Sequence, residues 1–248
     1  MGAQVGILSG CQFASLDGLA YTGSGRNLKT WWDFEDFNFS SAPVDSAYAG
    51  IWQTSINGAG AAAWPSWGTA VRPGRYTLET GTTAAGRAAI SCASAGLGWV
   101  FGAGQYTFET DVYIPVLSAI AEEFIIRIGF GDSGTADYAD GAYFEYDRLV
   151  SQNWYACTAD NSARTKNNLG VTVVAGSWIR LKLVVNPAGT LVSFYVNNVY
   201  ILDNNTDIPT GATRYVGGSV YIIKSAGLTS RVLNLDWIWL HADLTASR

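Results

Sequence analysis

Charge is the scarcest commodity in this 248-residue sequence: Asp, Glu, Lys and Arg together make up 14% of it, against roughly 25% in an average soluble protein. Basic charge is scarcer still, with 15 Lys and Arg against 20 Asp and Glu and a formal net charge of -5. A nucleic-acid partner is excluded on that ground, because such affinity needs clustered positive charge to displace counterions. His241 is the one histidine. No multi-histidine metal site can be built, and Ser-His-Asp or Cys-His chemistry would hang on a single residue near the C-terminus. Cys11, Cys92 and Cys157 are far apart and in no CxxC pattern, which disfavours a disulfide framework or a zinc site. They read as small buried hydrophobes, with Cys11 the one placed for intermolecular pairing. No apolar run approaches about 18 residues, so nothing is expected to span a membrane. The N-terminus has neither the basic region nor the apolar core of a signal peptide.

What is present is apolar and aromatic. Hydrophobic residues reach 48% and aromatics 13%, with 10 Trp, and Gly counts 28. Such a chain folds, and it is long enough for a sizeable core. Residues 1–29 are Gly, Ser and Ala rich without a clear period and read as an N-terminal docking arm. Residues 30–248 read as one domain with a long loop excursion at 40–74 that either contains short strands or packs as a functional excursion. From Arg75 onward the pattern is strand after strand. Candidates are 76–80, 87–92, 97–101, 106–114, 124–130, 142–147, 153–158, 171–174, 178–185, 190–196, 199–202, 220–224 and 232–240.

Turn-formers separate these runs. Asn197-Asn198, between Phe194-Tyr195-Val196 and Val199-Tyr200-Ile201, predicts a two-residue hairpin, since Asn tolerates positive φ. Only Val116–Glu123 is compatible with a helix. Ile179, Leu181, Leu183 and Val185 alternate with Arg180 and Lys182; Tyr106, Phe108, Val112 and Ile114 alternate with Thr107, Glu109, Asp111 and Tyr113. Two-layer packing buries the first set of each and wets the second. The prediction is an all-β, antiparallel two-sheet jelly-roll sandwich with an irregular N-terminal arm.

Several segments carry a resemblance. Asp33-Phe34-Glu35, Gly176-Ser177-Trp178-Ile179-Arg180-Leu181, Phe194-Tyr195-Val196-Asn197-Asn198 and Leu235-Asp236-Trp237-Ile238-Trp239-Leu240 resemble concanavalin A-like lectin/glucanase domains. The resemblance implies that the first and last strands pair. Three further stretches resemble a subgroup met in bacteriophage virion proteins: Pro73-Gly74 with Thr80–Arg87, Gly129–Asp132 with Gly141–Arg148, and Ile222–Gly227. It implies a non-enzymatic virion protein on the particle surface, made in the host cytoplasm. Capsid decoration is the leading expectation, a tail-fibre adhesin for host glycan the alternative, and a polysaccharide-degrading enzyme the third. Implied partners are a major capsid or tail protein, further copies of the chain (a trimer is the symmetry guess) and host glycan, with no membrane and no nucleic acid.

No catalytic residues, cofactor or metal are expected. A laminarinase-type strand needs Glu-x-Asp-x-x-Glu, and here Glu109 and Asp111 are followed by Ile114 and Pro115. The lyase branch of the fold uses a Gln-x-His strand, and His241 lacks the Gln. A glycan face is drawn from Glu109, Asp111, Tyr113, Arg127, Tyr143, Glu145 and Asp147, read as sharing the polar side of one sheet. Carboxylates that accept from sugar hydroxyls and rings that stack on sugar C–H faces are what such a site needs. The Asp132–Asp137 loop with Asp140 suggests calcium, a hard cation that takes several oxygens, but its spacing is not a DxDxDG loop, and Asp and Ser are ordinary turn residues. Trp237 and Trp239 are assigned to the core. Trp52, Trp64 and Trp67, in nearly uncharged Gly/Ala-rich chain, and Cys11 are assigned to an assembly interface.

Overall fold

The computed structural model describes residues 27–33, 53–63, 75–92, 98–135 and 137–245. Among them every regular element is a strand: β1 (Asn27–Asp33), β2 (Gln53–Asn57), β3 (Ala61–Ala63), β4 (Tyr76–Glu79), β5 (Arg87–Ser91), β6 (Gly104–Tyr113), β7 (Phe124–Gly131), β8 (Gly141–Asp147), β9 (Asn153–Asp160), β10 (Ala163–Thr172), β11 (Trp178–Val185), β12 (Val192–Val196), β13 (Val199–Asn204), β14 (Gly217–Lys224) and β15 (Val232–Leu244). They form two antiparallel sheets. An eight-stranded sheet runs β13-β12-β11-β6-β15-β4-β3, with β1 added to β15, and a seven-stranded sheet runs β10-β9-β8-β7-β14-β5-β2. The long β15 pairs with β6 along one edge. On its other edge it meets β4 over Val232–Leu235 and β1 over Trp237–Asp243. The first and last described strands therefore do pair.

The period-two pattern accounts for the core. Phe108, Leu181, Leu183, Phe194 and Leu240 project from one sheet, and Ile126, Ile128, Phe144 and Ile222 from the other; none has exposed surface. At about 1.5–3 kcal/mol for each fully buried side chain of this size, this layer outweighs any surface ion pair. Phe130 meets the edges of Phe101 and Phe108, with centroids 5.5 and 5.8 Å away. Cys92 and Cys157 are buried free thiols, and burial pushes the Cys92 thiol up to about 12, which keeps it unreactive.

Turn chemistry follows the residues. Asn197 and Asn198 have φ of 49° and 65°, the left-handed pair that a two-residue hairpin requires. Asn161 and Ser162 form a second such pair, at 51° and 71°, joining β9 to β10. Sequence reading placed a strand only at 171–174 there. β10 is an edge strand whose Asn167 and Asn168 are exposed and whose Arg164 and Lys166 are half-buried, so its hydrophobic alternation is faint. Val116–Glu123 is not helical: Ala119 and Glu122 exchange backbone hydrogen bonds of 3.2 and 2.8 Å in a tight reversal. The Glu122 carboxylate instead accepts from the Thr229 N–H and hydroxyl. Of the predicted strand 97–101, the described residues 98–101 contribute a single bridge, Trp99 to Val216. Within the excursion at 40–74, the described residues 53–63 supply one edge strand to each sheet, β2 beside β5 and β3 beside β4. Of the assigned assembly residues, Cys11, Trp52, Trp64 and Trp67 lie outside the described residues.

Candidate functional site

The seven residues drawn into one glycan face are divided between the two sheets. Glu109, Asp111 and Tyr113 leave β6 on the outer side of the eight-stranded sheet; Arg127 on β7 and Tyr143, Glu145 and Asp147 on β8 lie on the outer side of the seven-stranded sheet. A hydrophobic core layer separates the groups. Alternation places these side chains on the outer side of their strands, but the expectation that this side is wetted fails, since Glu109, Asp111, Arg127, Tyr143 and Glu145 are all buried. Alternation also carries no information on which sheet a strand joins.

On the eight-stranded sheet, β11 lies beside β6 with Arg180 opposite Asp111 and Lys182 opposite Glu109. Arg180 Nε donates to Asp111 Oδ1 at 2.9 Å and stands 3.8 Å from Glu109 Oε1. Its guanidinium lies 5.1 Å from the Trp237 ring centre, a cation–π contact. Burial raises the Glu109 carboxyl above its ordinary range although Lys182 and Arg180 pull the other way. Trp178 and Tyr113 face each other with centroids 5.3 Å apart. Asn197, at the hairpin tip, accepts the Arg180 backbone N–H at 3.0 Å. Between the tip and the strands lies an open depression of about 320 Å³ lined by Asp111, Trp178, Arg180, Asn197 and Asn198. Trp237 and Trp239, assigned to the core from sequence, are half-buried on this outer face, while Ile238 and Leu240 take the core positions. The physical reason is that β15 has solvent, not a third layer, on its far side.

On the seven-stranded sheet the polar side is sealed. Arg127 is 3% exposed and Glu145 1%. Arg127 Nε donates to Glu145 Oε2 at 2.6 Å, and its Nη1 contacts Asp137 and the Tyr221 hydroxyl; Lys166 reaches Glu145 from β10. The cover is Tyr138, whose ring meets Tyr143 and Tyr221 edge-on at 4.8 and 5.3 Å and whose hydroxyl donates to Ser219 Oγ at 2.8 Å. Gly131 leaves the space this ring needs, since a Cβ there would stand 2.5 Å from it. Burial alone would raise the Asp137 carboxyl, but the Arg127 and Arg164 guanidinium groups override it and hold it below the usual range. The Tyr143 hydroxyl is buried without a hydrogen-bond partner. Asp147 stands apart at the end of β8, where it accepts the Leu149 N–H at 3.0 Å and caps the turn to β9.

The loop weighed for calcium uses its carboxylates internally. Asp132 accepts the Ala139 N–H at 3.1 Å, Asp140 accepts the Asn161 N–H at 2.8 Å and pairs with Arg214 at 3.3 Å, and Asp137 pairs with two arginines. Among the described residues no group of three or more His, Cys, Asp or Glu could hold a metal ion.

Sequence reasoning missed Trp178, Arg180 and Asn197 as site residues, and Asp137, Tyr138, Arg164, Lys166 and Tyr221 as members of the sealed cluster. The outward direction of Arg180 and Lys182 was legible; that β11 lies against β6 was not. For Arg164 and Lys166, the signal was the Asn161-Ser162 turn, which marks β10 as a strand.

The two sheets and their strand order define a concanavalin A-like, lectin-type jelly roll. Within that class the chain belongs to the SO2946-like family: residues 71–236 match its C-terminal domain. A protein of unknown function, SO2946 from Shewanella oneidensis MR-1, has the same fold over 99% of both chains, with 15% identity and a TM-score of 0.67. The carbohydrate recognition domain of Emp47p is similar over 89% of this chain and 96% of its own, with 12% identity and a TM-score of 0.56. A sialidase matches 88% of this chain with 18% of its own, at 8% identity and a TM-score of 0.54. No curated protein matches the chain in sequence.

These comparisons correct the expectation of a bacteriophage virion protein, whether capsid decoration or tail-fibre adhesin. A match over nearly the full length is to a bacterial protein, and further similar folds include a carbohydrate recognition domain and a sialidase, not virion components. Apart from Pro73-Gly74, which lies outside the described residues, the stretches that carried the virion resemblance build the β4–β5 turn, β7, β8 and β14. They report on the sandwich itself and carry nothing about where it is displayed.

Proposed function

We propose that this chain is a non-catalytic carbohydrate-binding sandwich that takes sugar in the depression on its eight-stranded sheet. The observation that carries the reading is the lining of that depression: the Trp178 ring beside Arg180, the Asp111 carboxylate and the amides of Asn197 and Asn198. An aromatic ring offers a face to sugar C–H groups, and a few fixed planar polar groups orient the hydroxyls. Support comes from the fold shared with the Emp47p carbohydrate recognition domain. The non-catalytic part rests on the carboxylates. Both Glu109 and Asp111 converge on Arg180, Glu145 is enclosed by Arg127 and Lys166, and Asp147 caps a turn. Neither the Glu109/Asp111 nor the Glu145/Asp147 pair therefore offers two free carboxylates on either side of a scissile bond.

The test is a glycan array followed by calorimetric titration of the best neutral oligosaccharide. Trp178→Ala should lose binding while the protein stays folded, with no reducing ends released from the bound glycan. Unchanged affinity in Trp178→Ala would overturn the site, and sugar release would overturn the non-catalytic assignment.

A further inference from the structure

The sealed cluster on the seven-stranded sheet holds an arrangement that its structural role does not use up. Arg127 and Arg164 converge on one carboxylate, that of Asp137, at the Arg127 Nη1 and, at 3.5 Å, the Arg164 Nη1. Glu145 already neutralises Arg127 from below, with Nε to Oε2 at 2.6 Å, and is shared with Lys166. Three cations thus face two carboxylates. One of the carboxylates, Asp137, has a side chain 67% exposed, while Arg127 is 3% exposed. Rotation of the Asp137 side chain would bare the outer edge of both guanidinium groups and leave Tyr138 seated by its Ser219 hydrogen bond. The Tyr143 ring lies 5.8 Å from the Arg127 guanidinium and backs it from within the fold. Two planar guanidinium groups that converge on one point match the geometry of a carboxylate.

We propose that this cluster is a second ligand site, for a carboxylate-bearing sugar such as a hexuronate, and that Asp137 is an internal competitor occupying the place of the ligand's carboxylate. The ligand carboxylate takes the Arg127 and Arg164 donors that Asp137 now holds. The carboxylate part of this assignment rests on the cluster alone; the sugar part rests on the function proposed above.

The experiment titrates tri-galacturonate and its methyl ester into the wild-type protein, Asp137→Asn and Arg164→Gln. Asp137→Asn removes the competitor, and affinity for tri-galacturonate should rise about tenfold, as expected when self-occupancy leaves about one molecule in ten competent. Arg164→Gln should abolish binding, and the methyl ester should bind none of the three. Equal affinity of wild type and Asp137→Asn, or equal binding of acid and ester, would overturn the proposal. Adding Trp178→Ala to Asp137→Asn separates the two sites: retained tri-galacturonate binding supports the second site even if the depression binds no sugar. Binding lost with Trp178 would assign the acid to the depression and overturn the second site.

Discussion

The outer faces of the two sheets carry nearly the same chemistry and differ in what covers it. Each centres on an arginine between two carboxylates with aromatic rings beside it: Arg180 with Asp111, Glu109 and Trp237, and Arg127 with Glu145, Asp137 and Tyr221. Yet the Arg180 side chain is 36% exposed and that of Arg127 3%. The difference comes from the β7–β8 connection, which lays Tyr138 over one face. The comparison teaches that residue type sets the partners a side chain can take, and local cover sets what the pairing is worth. Charges paired in the open gain little, while a buried charge stripped of its partner is costly.

The largest effect should come from breaking the sealed pairing. Glu145→Gln leaves Arg127 buried without its main counter-charge, and the expected loss is about 3–5 kcal/mol in urea unfolding. The matched change on the eight-stranded sheet, Asp111→Asn, should cost less, about 1.5–3 kcal/mol, because the Asp111 side chain is 5% exposed but Arg180, at 36%, keeps water and Glu109. Equal losses would mean that the two faces are equally solvated and that Tyr138 does not seal its side.

An intermediate effect is expected from converting one face into the other. Gly131→Ala puts a methyl group against the Tyr138 ring, which must then lift from between Tyr143 and Tyr221. Overpacking of this kind costs about 1–3 kcal/mol, and the near-ultraviolet tyrosine dichroism should fall with it. Preserved tyrosine dichroism with wild-type stability would show that the ring has room to shift without unsealing the face.

The smallest effects are in pH dependence, where the faces should respond with opposite sign. Asp137 is held below the ordinary carboxylate range, so its contribution is present above that range and is lost as pH falls through its lowered folded value. Glu109 is raised by burial, so the folded state holds its proton longer, and stability falls as pH rises from the ordinary range through the raised value. Asp137→Asn should therefore flatten the acid limb of a stability–pH curve, and Glu109→Gln the limb just above it. If both variants flatten the same limb, the proposed difference in environment is wrong.

The sequence by itself determined the two-layer sandwich. Alternation in 106–114 and 178–185 dictated which side chains enter the core, because burying every second residue of a strand leaves only that solution. Asn197-Asn198 dictated its hairpin through the left-handed backbone that Asn tolerates. It likewise marked Glu109, Asp111, Arg127, Tyr143 and Glu145 as outward-facing. Which of these share a face was decided by tertiary structure alone, since strand order is set by contacts between distant segments, such as Arg180 with Asp111, 69 residues apart. The same holds for cover: Trp237 and Trp239 look like core residues until β15 is seen with solvent on one side. Tyr138 looks like a loop residue until Gly131 gives its ring a seat. Burial is a property of what arrives from elsewhere in the chain, and alternation along a strand has no term for it.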